Sequence, residues 1–330
     1  MANLQLSMIF SANDRSQPVL DGRIRPDGID LTVTVAHPSE IFWRQLKFAE
    51  FDVSEMSMSS LTIATSQGPT PWVMIPVFTT REFFHLRCLV RVASGIKEPK
   101  DLKGKKVGLP EWQLTANVWA RAILEDDHGV KSSDIRWIRG GIEHPGRPEK
   151  ITVKLPPGVS LENAPEGATI SQMLIDGEID GFMAPRPPSF MTPETKNVGW
   201  LFRDPTAAAK DWFKRTGIFP IMHLIGIRRT LVEKHPYLPA AVFKAFEQSK
   251  AAALALLSDT SATKVTLPFV EERLKEARDL MGDDFWAYGL EPNRNTLEVF
   301  LRHHHSQGLS PRLVKPEELF HPSTHESFKL

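Results

Sequence analysis

The stretch from Leu102 to Glu125, LKGKKVGLPEWQLTANVWARAILE, constrains the fold of this chain most, because it passes from strand to helix through one short loop. Lys105 to Leu109 is an apolar-leaning run bounded by Gly104 and Pro110, as a buried strand is. Thr115 stands as an N-cap, and from Ala116 the apolar residues Val118, Ala122 and Ile123 recur at helical spacing. The uncapped N–H groups of such a helix face whatever leaves the carboxyl end of the strand, which is where ligands sit in open α/β sheets. Trp112, Thr115 and Asn117 are therefore candidate ligand contacts: Trp112 to stack on a ring, Thr115 and Asn117 to line an anion-facing turn. The plain alternative is an ordinary strand-to-helix unit with Thr115 as a simple cap.

The rest of the chain repeats this alternation. Leu4 to Phe10 reads as a strand ending in the polar loop Ser11 to Arg15. Ile29 to Val35 alternates at period two, Ser39 caps a helix to about Ala49, and Phe51 to Met58 is a strand running into a helix over 59–66. Trp72 to Phe78 and Phe83 to Val92 are further strand candidates, followed by Ile135 to Ile138. Gly140 to Gly167 is polar and proline-rich and reads as loop, with a short hairpin around Ile151 to Leu155. Thr169 or Ser171 starts a helix, and Ile179 to Ala184 is a buried strand that delivers Arg186 between prolines. Asp204 to Lys214 is helical, and Phe219 to Ile227 is an apolar run holding His223 that reads as a central strand. Helices at Tyr237–Leu257, Phe269–Met281 and Leu297–Gln307 close the chain.

Strands alternating with helices indicate α/β lobes on mainly parallel sheets. The expected division is a discontinuous first lobe, 1–88 plus 205–330, with 89–204 inserted as the second. A length of 330 residues with 41% hydrophobic content suits two such lobes. Lys plus Arg and Asp plus Glu both total 40, so no global field recruits nucleic acid or an anionic membrane, and an anion must be caught by a local cluster. The single cysteine, Cys88, excludes an internal disulfide. Asn13, Asp14 and Arg15 interrupt the N-terminal stretch where a signal peptide needs apolar length, and no run approaches the roughly 18 apolar residues of a membrane span. A cytoplasmic location is expected. The Ala-rich helix over 240–257 suits core packing or a homo-oligomer interface.

The phrase DLKGKKVGLP, the helix after it, and the later turn DGEIDGF resemble the second lobe of type II periplasmic-binding-protein folds, in which two lobes close over a small anion. FDVSEMSMSS, IPVFTTREFFH, TGIFPIMH, MGDDFWAYGLEPN and QGLSPR, in that order, resemble the 4,5-dihydroxyphthalate decarboxylase family, which uses this scaffold as an enzyme. The resemblance spans almost the whole chain. It implies a ligand cleft between lobes and loss of one carboxylate from a dihydroxylated aromatic vicinal diacid, giving protocatechuate and carbon dioxide.

Such a reaction needs a clamp for the retained carboxylate, a base for the phenol, and a proton donor near the ring carbon. Arginine suits the clamp because its planar fork binds a carboxylate bidentately. Arg15, Arg81 and Arg186 all stand at predicted strand ends or adjoining loops; the alternatives are pairing with Asp14 for Arg15 and with Glu82 for Arg81. His223 and His85 are the candidate proton carriers, each also readable as a core histidine. Glu55, beside Ser57 and Ser59 at a strand end, is the candidate carboxylate partner, with the serines as substrate contacts. Its alternative is a capping or surface acid.

No organic electron sink is required, because the phenolate itself pushes electron density toward the departing carboxylate. No cofactor is expected; a divalent ion held by His85, His223 and Glu55 is the metal alternative, should the fold bring the three together. His303, His304 and His305 are adjacent rather than at i and i+4, so they read as a frayed helix end and not a metal site. A solute-binding protein or sensor that captures a carboxylate without chemistry is the second reading.

Overall fold

The computed structural model describes residues 2–146, 154–261 and 264–326. Within these the chain divides into two units by packing: Met1–Arg81 with Ile221–Leu297 and Val314–Leu330, and Glu82–Pro220 with Glu298–Leu313. The division differs from 1–88 plus 205–330 and 89–204 in three places: 82–88, 205–220 and 298–313 all fall in the second unit. The helix Pro205–Thr216 stays with the second unit because Trp212 and Phe213 pack edge-on against Phe83, and 298–313 joins it through Gln307.

The first unit is built on β1 (Leu4–Phe10), β2 (Ile29–Val35), β3 (Val53–Ser57), β4 (Trp72–Arg81) and a late strand, numbered below as β11. The second carries β5 (Cys88–Arg91), β6 (Lys106–Leu109), β7 (Arg136–Arg139), β8 (Ser160–Asn163), β9 (Gly181–Met183) and β10 (Val198–Trp200). The chain then returns to the first unit with β11 (Ile221–Arg228). The sheet orders are β2-β1-β3-β11-β4 and β10-β5-β9-β6-β7-β8.

Both sheets are mixed rather than mainly parallel. In the first, β1 runs parallel to β2 and β3, while β11 lies antiparallel between β3 and β4 because it enters from the opposite end after the second unit. In the second, β9, β6, β7 and β8 form a parallel core and β5 and β10 add on antiparallel. Strand β8 and strand β10 lack apolar runs, which is why the segment containing β8 reads as loop. Ile151 to Val153 of the expected hairpin lie outside the described residues.

Other local expectations shift for physical reasons. His37, not Ser39, caps the helix Pro38–Phe48, its ring nitrogen accepting from Ser39 N. Thr115 is the first helical residue of Thr115–His128, whose N-cap, Leu114, provides no side-chain bond. Phe84–Arg87 is a 3₁₀ turn, so the strand expected over 83–92 begins only at Cys88. His303 and His304 are buried in the helix Arg294–Ser306 and not frayed: His303 Nε2 meets Asp126 at 2.8 Å, and His304 Nδ1 meets Ser310 Oγ at 3.1 Å.

Strand β4 is an edge, and the C-terminal part of the chain covers it. The carbonyls of Met74, Pro76 and Phe78 accept from His321 N (2.9 Å), Gly289 N (2.9 Å) and Trp286 Nε1 (2.8 Å). An otherwise unpaired row of edge groups is thereby satisfied. No helix of the described residues is long and apolar enough to cross a membrane.

Candidate active site

At one edge of the first unit's sheet, polar side chains collect where the chain leaves β1, ends β3, starts β11 and ends β4. The geometry follows from strand direction. Parallel β1 and β3 bring Ser11 and Glu55–Ser57 to that edge, and antiparallel β11 brings His223 to it from its first residues. In the β3–β11 register His223 pairs with Ser57 and Ile225 with Glu55, so Glu55 and His223 are diagonal neighbours on one face, within reach of long side chains. Their contact is His223 Nδ1 to Glu55 Oε1 at 2.7 Å.

The β4 side of His223 is irregular. Register shifts flank it on both sides, so that His223 lies opposite Thr80 while Ile225 lies opposite Ile75. A bulge lets consecutive residues present side chains to the same partner. Here Thr79 Oγ1 and Thr80 Oγ1 both donate to Glu55 Oε1 at 3.2 Å. The other oxygen, Oε2, accepts from Ser11 N at 2.9 Å and from Ser11 Oγ.

Glu55 is fully buried. Burial alone raises a carboxyl pKa, but hydrogen bonds from His223 and Ser11 stabilise the anion more, and the group is held down to about 2. An ionised Glu55 can only accept, so His223 Nδ1 carries hydrogen, and in the uncharged form of the ring the lone pair is then at Nε2. Nε2 meets no hydrogen-bond partner among the described residues, and the ring is set edge-on to Phe42 with centroids 4.8 Å apart. A carboxylate that fixes tautomer and orientation, with the opposite nitrogen open, is the arrangement of an oriented general base or acid.

Arg15 belongs to the same constellation through Thr79, whose side chain holds Glu55 and whose carbonyl accepts from Arg15 Nη2 at 3.1 Å. Arg15 Nη1 also pairs with Asp14 at 2.6 Å, so the sequence alternative and the site placement hold together. Its guanidinium lies 3.9 Å over the ring of Trp286. Ser57 caps the helix Met58–Gln67 through Ser60 N at 3.4 Å and pairs directly with His223; Ser59 is fully buried in that helix.

Other candidates are placed differently. Arg81 is buried, and its Nη2 donates to Ala287 O at 2.6 Å and to Asn293 Oδ1. Desolvation pulls its pKa down to about 9. It fastens the C-terminal strap rather than opening a fork to ligand, and its sequence neighbour Glu82 pairs with Arg87 instead. His85 belongs to the second unit, 4.8 Å from Phe202 and 5.4 Å from Trp212 by ring centroids, and burial lowers its pKa to about 4. Of the expected metal set, Glu55 is taken up by donors within the first unit and His85 lies in the aromatic core of the second. No group of three His, Cys, Asp or Glu among the described residues could hold a metal ion.

Trp112 is fully buried and presents no ring to a ligand: Nε1 donates to Gln307 O at 3.1 Å and Arg121 covers its face at 3.8 Å. Asn117 is buried with Nδ2 on Glu111 O at 2.8 Å, and Thr115 is buried beside it. The Asn117 bond closes the turn on itself. Arg186 stands exposed beyond the carboxyl end of β9, without a hydrogen-bond partner among the described residues.

Sequence reasoning missed Ser11, Thr79, Thr80 and Trp286. Adjacent threonines ending an apolar strand were the available signal for two of them.

Comparison with known proteins gives this geometry its setting. Residues 26–145 match the family model described as NMT1/THI5 like. Among solved structures, a putative sulfonate-binding SsuA from Methylobacillus flagellatus superposes with TM-score 0.56 at 14% identity, covering 98% of this chain and 93% of that one. The aliphatic sulphonate binding protein SsuA of Escherichia coli gives TM-score 0.54 at 17% identity, covering 100% and 96%. These likenesses establish the type II periplasmic-binding-protein-like fold. A 4,5-dihydroxyphthalate decarboxylase from Pseudomonas putida is 46% identical over 214 residues, 65% of this chain and 83% of its own. Another, from Comamonas testosteroni, is 53% identical over 330 residues, the whole of both chains. Identity of that extent makes this chain a member of the 4,5-dihydroxyphthalate decarboxylase family.

Proposed function

We propose that the protein is a carboxy-lyase that converts 4,5-dihydroxyphthalate to protocatechuate and carbon dioxide. The observation that carries this reading is a histidine held by a buried carboxylate, its outer nitrogen open, tied through one threonine to a surface-reaching arginine in a member of this family. Arg15 grips the carboxylate that is retained. His223 Nε2 takes the proton of the hydroxyl para to the carboxylate that leaves. Electron density then reaches the ring carbon bearing that carboxylate, which accepts a proton drawn in net from water. The C–C bond breaks, its electron pair returns to the ring, and the phenolate recovers its proton from the imidazolium.

Glu55 keeps the ring oriented and stabilises the imidazolium while it exists. Arg186 belongs to the second unit and stands exposed there. The chemistry is complete without an organic cofactor, since the phenolate is its own electron source. The solute-binding reading predicts capture without turnover, and whole-length identity to a decarboxylase favours the enzyme.

Purified protein mixed with 4,5-dihydroxyphthalate should release carbon dioxide and protocatechuate in equal amounts. Arg15→Gln should raise KM about ten- to a hundredfold, the worth of a lost charge-assisted bond. Tight binding of the diacid with no carbon dioxide release is the outcome that defeats this assignment.

A further inference from the structure

Trp286 sits in the segment GDDFWAYGL, far from Arg15 in sequence yet in face contact with its guanidinium at 3.9 Å. The ring cannot drift. Its Nε1 donates to Phe78 O at 2.8 Å, and the next carbonyl along β4, Thr79 O, accepts from Arg15 Nη2 at 3.1 Å. Cation and ring are thus tethered to consecutive peptide units of one strand.

The segment that carries Trp286 is itself pinned on both sides. Asp284 accepts from Lys250 Nζ at 3.1 Å, Ala287 O and Asn293 Oδ1 accept from Arg81, and Gly289 N donates to Pro76 O. Arg15, by contrast, projects from the irregular residues that follow β1, and its only ion pair among the described residues is with the exposed Asp14. An exposed pair of that kind orders a long side chain weakly. The face contact and the Thr79 bond supply the order that the pair does not.

We infer that Trp286 is a positioning residue for the Arg15 guanidinium, holding the fork in the plane from which it meets the substrate carboxylate; the inference rests on the clamp role given to Arg15 above. An indole is required here, since phenylalanine offers the face without the tether. Edge covering alone would need the N–H bond to Phe78 but no cation over the ring.

The test compares wild type, Trp286→Phe, Trp286→Leu, Arg15→Gln and the double variant Arg15→Gln/Trp286→Leu, by steady-state kinetics on 4,5-dihydroxyphthalate and by NMR of the arginine Nε–H groups. Trp286→Leu should raise KM about three- to thirtyfold with kcat little changed, as loss of a cation–π contact implies. Trp286→Phe should fall between it and wild type. In the Arg15→Gln background the same change should add nothing. The Arg15 Nε–H signal should be sharp in wild type and averaged in Trp286→Leu.

An equal KM increase from Trp286→Leu with and without Arg15 overturns the inference, as does an Arg15 signal that ignores the substitution. If the signal responds while wild type shows no turnover, the positioning stands and the assignment of function is what fails.

Discussion

Two histidines that look alike in sequence have opposite surroundings. His223 and His85 each follow an apolar run ending in an aromatic or sulfur-bearing residue, PIMH and EFFH. His223 pairs with an ionised, buried Glu55 and keeps one nitrogen open. His85 is enclosed by Phe202 and Trp212, carries no counter-charge in contact, and its buried Nδ1 has no hydrogen-bond partner among the described residues. Burial therefore decides nothing by itself. What separates a proton carrier from a core residue is whether a carboxylate shares the burial.

The largest test of this contrast is kinetic. His223→Gln should lower kcat about 100- to 10,000-fold, the usual worth of a positioned general acid or base, while His85→Phe should stay within about threefold of wild type. Equal losses in both variants would erase the distinction. Glu55→Gln should approach the His223 loss, because an amide in place of the carboxylate permits the wrong tautomer and cannot accept from every donor that now converges on Glu55.

Stability against pH separates the two histidines next. The unfolded His85 titrates near its ordinary 6.5, whereas burial, opposed in part by the charge of Asp127 and helped by His128 and Arg215, lowers the folded value to about 4. Between those values the unfolded chain binds more protons, so stability falls as pH drops from 6.5 to 4. The full effect is about 3 kcal/mol. His85→Phe should flatten the thermal midpoint across that window. Glu55 acts lower down: its contribution is intact above about pH 4.5 and is lost as pH falls toward 2. A Glu55→Gln variant should therefore differ from wild type least at the most acidic end, which thermal melts from pH 7 to 2.5 would register.

The strand positions were largely legible because hydrophobic periodicity reports which residues face a core. The strands over 4–10 and 29–35 appear with the limits their alternation gives. Register is another matter. Glu55 reaches His223 only because β11 runs antiparallel beside β3 and places them on a diagonal, and Thr79 and Thr80 both reach Glu55 only because β4 bulges there. Neither pairing direction nor a bulge has a sequence period. The surroundings of Arg81 were hidden for a related reason: nothing local announces that Asn293, 212 residues on, will accept from it. Trp112 likewise looked available, since part of its cover, Gln307, comes from a turn 195 residues on.

The smallest expected effect concerns the same edge of the first unit as His223. Asp14 is more than half exposed and holds Arg15 Nη1 at 2.6 Å, so in the proposed clamp it competes with the substrate carboxylate for that nitrogen. The pair contributes at most about 1 kcal/mol, because solvent screens it and two side chains must be ordered to make it. Replacing the carboxylate by an amide keeps the shape and removes the competing charge. Asp14→Asn should therefore lower KM for the diacid up to about fivefold at low salt, with kcat unchanged, and the gain should shrink as ionic strength rises. A raised KM would mean that Asp14 orders Arg15 for binding rather than competing for it, and that the first unit's cation depends on its acidic neighbour as His223 does on Glu55.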